Sequence, residues 1–237
     1  MVFITKNKKP LFIIVYKRLP LCRHKSFLER YRTKCSFKNT KLAKTKFKMT
    51  LENILIDCKK QLTGALNHKK HPFRYFTLAS ISENDTPNLR TVVLREFNAN
   101  KFQLTIFTDG RSKKVEEFKS NKNGKFLFYD TSRLIQLILD VKMIEVVDLN
   151  NVFKSLPEPS KKDYTSILKP GTNIQSPDKI KYDYSKDYFR KIIFQAVNLE
   201  YLKLKRPNHI RAFFSNEDKW KGSYLVPWNL LISVLFF

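Results

Sequence analysis

Two short stretches hold the side chains best suited to chemistry. In Arg90-Thr91-Val92-Val93-Leu94-Arg95 a guanidinium stands at each end of an extended run. Strand alternation puts the two arginines on opposite faces. Next comes Phe107-Thr108-Asp109-Gly110-Arg111-Ser112-Lys113-Lys114. Here Asp109–Ser112 reads as the start of a helix. A helix N-terminus offers backbone N–H groups without partners and a dipole that favours anions. The Ser112 hydroxyl and the ammonium groups of Lys113 and Lys114 would complete a phosphate cradle there without any glycine-rich loop. Taken alone, a solvated helix start with ordinary lysines carries the same residues.

Other chemistries find little support. The five glycines, Gly64, Gly110, Gly124, Gly171 and Gly222, are too far apart for a dinucleotide-binding or P-loop fingerprint. Cys22, Cys35 and Cys58 form no C-x-x-C pair, and with only four histidines they argue against a zinc site. A sparse, odd cysteine count fits reduced thiols inside a cell. His68 and His71 read as exposed loop residues. No Ser-His-Asp or Cys-His arrangement suggests itself.

The net charge of +25 is unevenly spread. Residues 1–48 carry 15 Lys and Arg against the single acid Glu29. With 34 Lys to 12 Arg, the scattered excess reads as solvated lysine under a compositional bias rather than as a basic interface. The N-terminal segment lacks the aromatic interleaving of a nucleic-acid platform. Its apolar run Leu11–Tyr16 is too short for a signal-peptide core. It is transit-like in having few acids, yet it favours Lys over Arg and Ser, and Met49 offers an alternative start. The expected location is cytoplasmic, or mitochondrial if residues 1–48 act as a transit peptide. No run of about 18 apolar residues exists, so no membrane-spanning helix is expected, and the apolar tail 228–237 is too short to be one.

The elements that must position the two stretches lie in residues 49–227. Leu51, Leu55, Cys58, Leu62 and Leu66 recur at helical spacing, with Thr50 as cap. Strands are expected at Arg74–Ser82, Leu89–Phe97 and Phe102–Thr108, joined as a meander. In the helix that follows, Val115 and Phe118 should face inward and Glu116 and Glu117 outward. Further strands are expected at Lys125–Asp130, Leu134–Val147, Ile192–Leu204, His209–Ser215 and Tyr224–Val226, with a helical turn at Tyr164–Leu168. Gln136 is the odd polar residue in its strand. The pattern predicts a mainly β domain with short helices, an antiparallel, Greek-key-like barrel in which closure removes the edges.

Several of these segments together resemble the pyridoxamine 5′-phosphate oxidase-like FMN-binding split-barrel family. They are Arg74-Tyr-Phe-Thr-Leu-Ala-Ser80, Pro87-Asn-Leu-Arg-Thr-Val-Val-Leu-Arg95, Phe107-Thr-Asp-Gly-Arg-Ser-Lys-Lys-Val-Glu-Glu117, Phe128-Tyr-Asp130 and Arg133-Leu-Ile-Gln-Leu137. Later segments agree: Lys162-Asp-Tyr164, Lys169-Pro-Gly171, Leu199-Glu-Tyr-Leu-Lys-Leu204, His209-Ile-Arg-Ala212 and residues 220–227.

The resemblance implies FMN as cofactor. Arg90, Thr91, Val92 and Val93 would contact it, with Arg95 between the cofactor and a phosphorylated substrate. Phe107 and Thr108 would lie beside the flavin phosphate chain, and Ser112, Lys113 and Lys114 would grip the phosphate. Gln136 would bond the flavin, and Arg211 would sit by the isoalloxazine as the group that stabilises reduced flavin. Ser160, Lys161 and His209 would join Arg95 on the substrate. The chemistry implied is that of an FMN-dependent oxidoreductase. A hydride passes from an amine or alcohol carbon to flavin N5, and oxygen then reoxidises the flavin, giving hydrogen peroxide and pyridoxal 5′-phosphate. A homodimer with FMN at its interface is implied too, burying strands such as Phe126–Tyr129. This chain also departs from the oxidases. Ser160-Lys161-Lys162 stands loosely where they hold the substrate phosphate, Pro207-Asn208-His209 stands near their Arg-Leu-His signature, and Leu202 stands where a tryptophan flanks the flavin. An FMN-binding protein with a different or lost substrate is the alternative. A basic nucleic-acid-binding barrel is a remote one, and it leaves Gln136 unexplained.

Overall fold

A computed structural model of the chain describes residues 49–148 and 150–227. The expected features of the N-terminal segment and the apolar tail therefore lie outside the described residues. The first element is a helix, α1 (Leu51–Asn67), whose N-cap Thr50 accepts a hydrogen bond from Asn53 N at 3.3 Å. Its buried face is Ile54, Cys58, Leu62 and Ala65, with Leu51, Leu55 and Leu66 at the margin. The stripe is thus the expected one, rotated by less than a turn. Arg74 Nη1 closes its far end, donating to Ala65 O at 3.3 Å and Leu66 O at 3.1 Å. A cation at a helix C-terminus satisfies the last carbonyls and complements the dipole. His71 is not simply an exposed loop residue: its Nδ1 accepts from Phe73 N at 3.1 Å, and its Nε2 lies 3.3 Å from Gln61 Oε1.

The strands follow as β1 (Tyr75–Ile81), β2 (Pro87–Val93), β3 (Glu96–Asn98), β4 (Gln103–Asp109), β5 (Asn123–Asp130), β6 (Ile135–Val147), β7 (Phe189–Lys203), β8 (Ile210–Ser215) and β9 (Gly222–Leu225). Three further helices are short: α2 (Lys113–Ser120) between β4 and β5, and α3 (Asn150–Ser155) and α4 (Glu158–Lys161) after β6. The architecture is mainly antiparallel β, as expected. The path of the sheet runs β2-β1-β5-β6-β7-β4-β3, so the connections are not those of a simple meander. The run expected as one strand, Leu89–Phe97, is two. Residues 87–93 pair with β1, and Glu96–Asn98 pair with β4. At the switch, Leu94 N bonds Arg74 O at 2.9 Å and Arg95 N bonds Thr105 O at 3.0 Å. One continuous segment therefore supplies both ends of the sheet path, β2 at one and β3 at the other.

Long β7 pairs with β6 on one side; on the other it pairs first with β4 and then with β8. Inside the barrel pack Phe76, Leu78, Leu104, Ile106, Phe126, Phe128, Leu137, Leu139, Phe194 and Tyr201, together with Phe118 from α2. Each buried aromatic removes on the order of 150–250 Å² from water, so this group dominates stability. A second apolar cluster, Phe153, Tyr164 and Phe189, lies under the segment that carries α3 and α4.

Candidate functional site

The turn between β4 and α2 builds the first part of the site. Asp109 is buried, and its Oδ1 accepts from Arg111 N at 2.8 Å, which shapes the entry to the helix. Arg111 is wholly occupied with this framework. It bonds Asp109 Oδ2 at 2.7 Å and Ser166 O at 2.8 Å, and it stacks over the Tyr188 ring at 3.3 Å. Ser112 is the N-cap, but its side chain makes no cap hydrogen bond. Its Oγ instead donates to Asp109 O at 2.7 Å and meets Thr108 Oγ1 at 3.1 Å. The helix-start N–H groups are thus left without a side-chain cap, and three polar side chains converge beside them. Lys114 Nζ donates to Thr108 Oγ1 at 2.9 Å and to Ser112 Oγ at 3.2 Å.

The charge balance of Lys114 is unusual. Among the described residues no carboxylate lies within ion-pair distance of its ammonium, which bonds only hydroxyls. Burial, then the nearby Arg90 charge, push its pKa below that of an ordinary lysine, against the pull of Asp109 and Glu117. Lys114 is half-buried, and a partly desolvated cation without a counterion is stabilised when an anion arrives. Lys113, expected to share the work, is exposed and does not enter this cluster.

Arg90 stands next to it, on the inner face of β2. Its Nη2 meets Glu117 Oε2 at 2.9 Å, and its Nη1 donates to the buried Ser80 hydroxyl. Ser80 Oγ in turn donates to Glu117 Oε2, and Asn88 Nδ2 donates to Glu117 Oε1 at 2.6 Å. The expectation that Glu117 faces outward is therefore corrected: it is buried, at 5% exposure. The reason is the supply of donors from β1 and β2, which outweighs the cost of desolvating a carboxylate. Burial works to raise its pKa, but the bonds from Ser80 and Asn88 and the Arg90 charge hold it below the usual carboxylate value.

The other predicted cofactor residues lie elsewhere on the barrel. Val92 points inward against the core, while Thr91 and Val93 alternate to the outer face. On that outer face Gln136 forms a cross-strand row with Tyr129, Leu202 and Arg211. With strands about 4.8 Å apart, Gln136 and Arg211 stand roughly 10 Å from each other across Leu202. Gln136 is half-buried, and its amide has no side-chain hydrogen bond among the described residues. Arg211 is held by Glu200 in a fork, Nε to Oε1 at 2.9 Å and Nη2 to Oε2 at 3.0 Å. Its charge is therefore balanced within the chain.

The substrate candidates are only partly gathered. Arg95 reaches the outer face, 5.5 Å from the centroid of the Phe107 ring, and its charge acts on the buried Tyr164. Tyr164 belongs to the single turn Lys162–Tyr164 that follows α4, not to a turn starting there. Ser160 and Lys161 lie on α4, where Lys161 Nζ pairs with Glu158 at 2.6 Å. His209 braces the β7–β8 hairpin, its Nδ1 accepting from Lys205 N at 3.1 Å.

Residues 57–144 match the family described as pyridoxamine 5′-phosphate oxidase, FMN-binding domain. Over these residues the chain is similar to that FMN-binding family. A curated relative, pyridoxine/pyridoxamine 5′-phosphate oxidase 2 of Arabidopsis thaliana, is 29% identical over 176 residues, covering 67% of this chain and 87% of that protein. A pyridoxamine 5′-phosphate oxidase-related, FMN-binding protein from Nostoc punctiforme superposes with a TM-score of 0.57 at 19% identity, over 71% of this chain and 96% of that one. PhzG from Burkholderia lata, solved with tetrahydrophenazine-1-carboxylic acid, gives 0.56 at 13% identity, over 76% of this chain and 95% of the other. At such identities the structural likeness shows the fold.

Glu117, Ser80 and Asn88 are the site neighbours that sequence reasoning missed. A signal was present for Ser80: it follows Phe76 and Leu78 at the inward parity of β1, where a polar residue needs a partner. Asn88 shares the parity of Arg90. Nothing local marks Glu117, because its partners come from two other strands.

Proposed function

We propose that this chain binds FMN and is an oxidase acting on a phosphorylated amine or alcohol of the pyridoxamine or pyridoxine 5′-phosphate type. The observation that carries the reading is Lys114, a half-buried ammonium with hydroxyl partners and no carboxylate within ion-pair distance among the described residues, at a helix start beside Arg90. That donor set fits the phosphate of FMN. Lys114, Ser112, Thr108 and Arg90 would hold it, and charge-assisted bonds of this kind are about twice as strong as neutral ones. FMN, when bound, supplies a two-electron acceptor that molecular oxygen can regenerate. The unpartnered Gln136 amide would orient the ring through a hydrogen bond. Arg95, steadied by Tyr164 and Phe107, would receive the substrate phosphate, with Ser160, Lys161 and His209 as further candidates. Arg211 would tune the ring's surroundings together with its partner Glu200. The exposed apolar side chains Tyr75, Leu89, Leu127 and Tyr129 lie on strands around Gln136. We propose that a second copy covers them, forming a homodimer and keeping water from the ring.

A second reading is favoured by specific pairings. Arg211 is neutralised by Glu200, Lys161 by Glu158, and His209 serves a turn. An FMN-binding protein with another substrate, or none, would show the same. The test is the visible spectrum of the purified full chain after FMN addition and dialysis, followed by oxygen consumption with pyridoxamine 5′-phosphate and pyridoxine 5′-phosphate. Retained flavin with substrate-dependent oxygen uptake is expected. Retained flavin without uptake favours the second reading, and a folded chain that retains no flavin refutes both.

A further inference from the structure

The carboxylate that faces Arg90 has no place among the groups that would touch phosphate. Both of its oxygens are already engaged: Oε2 by Arg90 and Ser80, Oε1 by Asn88 at 2.6 Å. It therefore offers nothing to an incoming ligand. Arg90 is different. A guanidinium carries five N–H bonds, and among the described residues Arg90 spends them only on Ser80 and Glu117. Its side chain keeps 23% exposure. The three charges of the cluster, two positive and one negative, leave a net positive site that suits a phosphate.

We infer that Glu117 is a positioning residue for the phosphate anchor: its carboxylate, braced by Ser80 and Asn88, fixes the Arg90 guanidinium so that its remaining N–H bonds face the same anion as Lys114. The inference rests on the FMN reading above and adds a residue that does not touch the cofactor. A buried ion pair is weak evidence of stability by itself, since an apolar replacement often serves as well. What favours a positional role is that every polar atom of Glu117 is saturated on one side of Arg90, fixing a side chain that otherwise has several rotatable bonds.

The sign of one measurement separates positioning from simple charge. Neutralising a carboxylate near an anion site removes repulsion, so a purely electrostatic Glu117 makes the Glu117→Gln variant bind FMN more tightly. A positioning Glu117 makes it bind more weakly. Fluorescence titrations of the full-length wild type and Glu117→Gln with FMN and with riboflavin, which lacks the phosphate, are the experiment. We expect FMN affinity to fall at least about tenfold, with riboflavin affinity within about twofold. In an Arg90→Ala background, Glu117→Gln should add no further loss, because the effect runs through Arg90. Should Glu117→Gln fail to fold, Ser80→Ala, which removes one brace, is expected to show the same FMN-selective loss to a smaller degree. Unchanged or tighter FMN binding, or equal losses of FMN and riboflavin, would overturn the positioning role while leaving the FMN reading intact. Failure of the wild type to bind FMN would overturn both.

Discussion

Replacing Lys114 by Met tests the anchor most directly, because its two consequences have opposite signs. The ammonium donates to two hydroxyls, at 2.9 and 3.2 Å, and has no carboxylate partner. Removing it orphans little: Thr108 Oγ1 and Ser112 Oγ still meet at 3.1 Å, and Ser112 Oγ still donates to Asp109 O at 2.7 Å. Two hydrogen bonds of about 1 kcal/mol each are lost, while a desolvation penalty of about 1–3 kcal/mol is relieved. The ligand-free variant should therefore match or exceed the wild type in stability, which for a domain of this size means a Tm unchanged or raised by about 2–4 °C. The pH dependence has a definite sign. The folded-state pKa of Lys114 is depressed, so its penalty is present below that pKa and disappears as the pH rises toward the ordinary lysine value. The gap between variant and wild type should then close in alkaline solution. FMN binding moves the other way. Loss of a charge-assisted bond of about 1.5–3 kcal/mol weakens it by about 10–100-fold, with riboflavin unaffected. Flavin fluorescence titration and calorimetry read the two quantities. Equal losses of FMN and riboflavin, or a Tm lowered by more than about 4 °C, would refute the idea that Lys114 is held in an unfavourable state for an anion.

Two predictions concern the frame around the site. Asp130 Oδ1 accepts from Ser132 N at 2.9 Å and Arg133 N at 3.0 Å. Despite burial, bonds from the Ser132 hydroxyl, the Arg133 guanidinium and Arg133 N, together with the Arg133 charge, bring its pKa from 3.8 to about 2. Asp130→Asn should cost about 2–3 kcal/mol near neutral pH. Because the folded pKa is depressed, that cost shrinks as the pH falls from 3.8 toward about 2; urea unfolding that shows an equal gap throughout would be inconsistent with it. At Gly124, an added Cβ would lie 2.9 Å from Phe118 Cε1 and 3.0 Å from the backbone carbonyl of Ala79. Since β1 pairs β5 at this point, the carbonyl has little freedom to yield. Gly124→Ala should destabilise by about 1–3 kcal/mol through overpacking, and an unchanged urea midpoint would show that the strands can part.

The amino-acid sequence by itself determined what depends on near neighbours. Helical spacing from Leu51 onward specified α1, and alternation specified β1, β4, β5 and β6. Ser112, Lys113 and Lys114 were legible as a candidate anion cradle because they adjoin at the start of α2, although the structure gathers Lys114 with Thr108 and Ser112 and leaves Lys113 exposed. Gln136 was legible because an amide in an apolar strand requires a reason. Tertiary structure decided everything that depends on which strands meet. The segment around Leu94 and Arg95 changes partner from β1 to β4, a switch that no local pattern reveals. That switch sends Arg90 inward to Glu117 and Arg95 outward to Phe107 and Tyr164. Glu117 looks like any surface acid on a helix until Ser80, Asn88 and Arg90 converge on it from strands 27 to 37 residues away. Arg211 looks like a free charge until β7 brings Glu200 beside it. Periodicity encodes which face of an element is buried. The partner that satisfies a buried charge is set by long-range pairing, and only the assembled sheet supplies it.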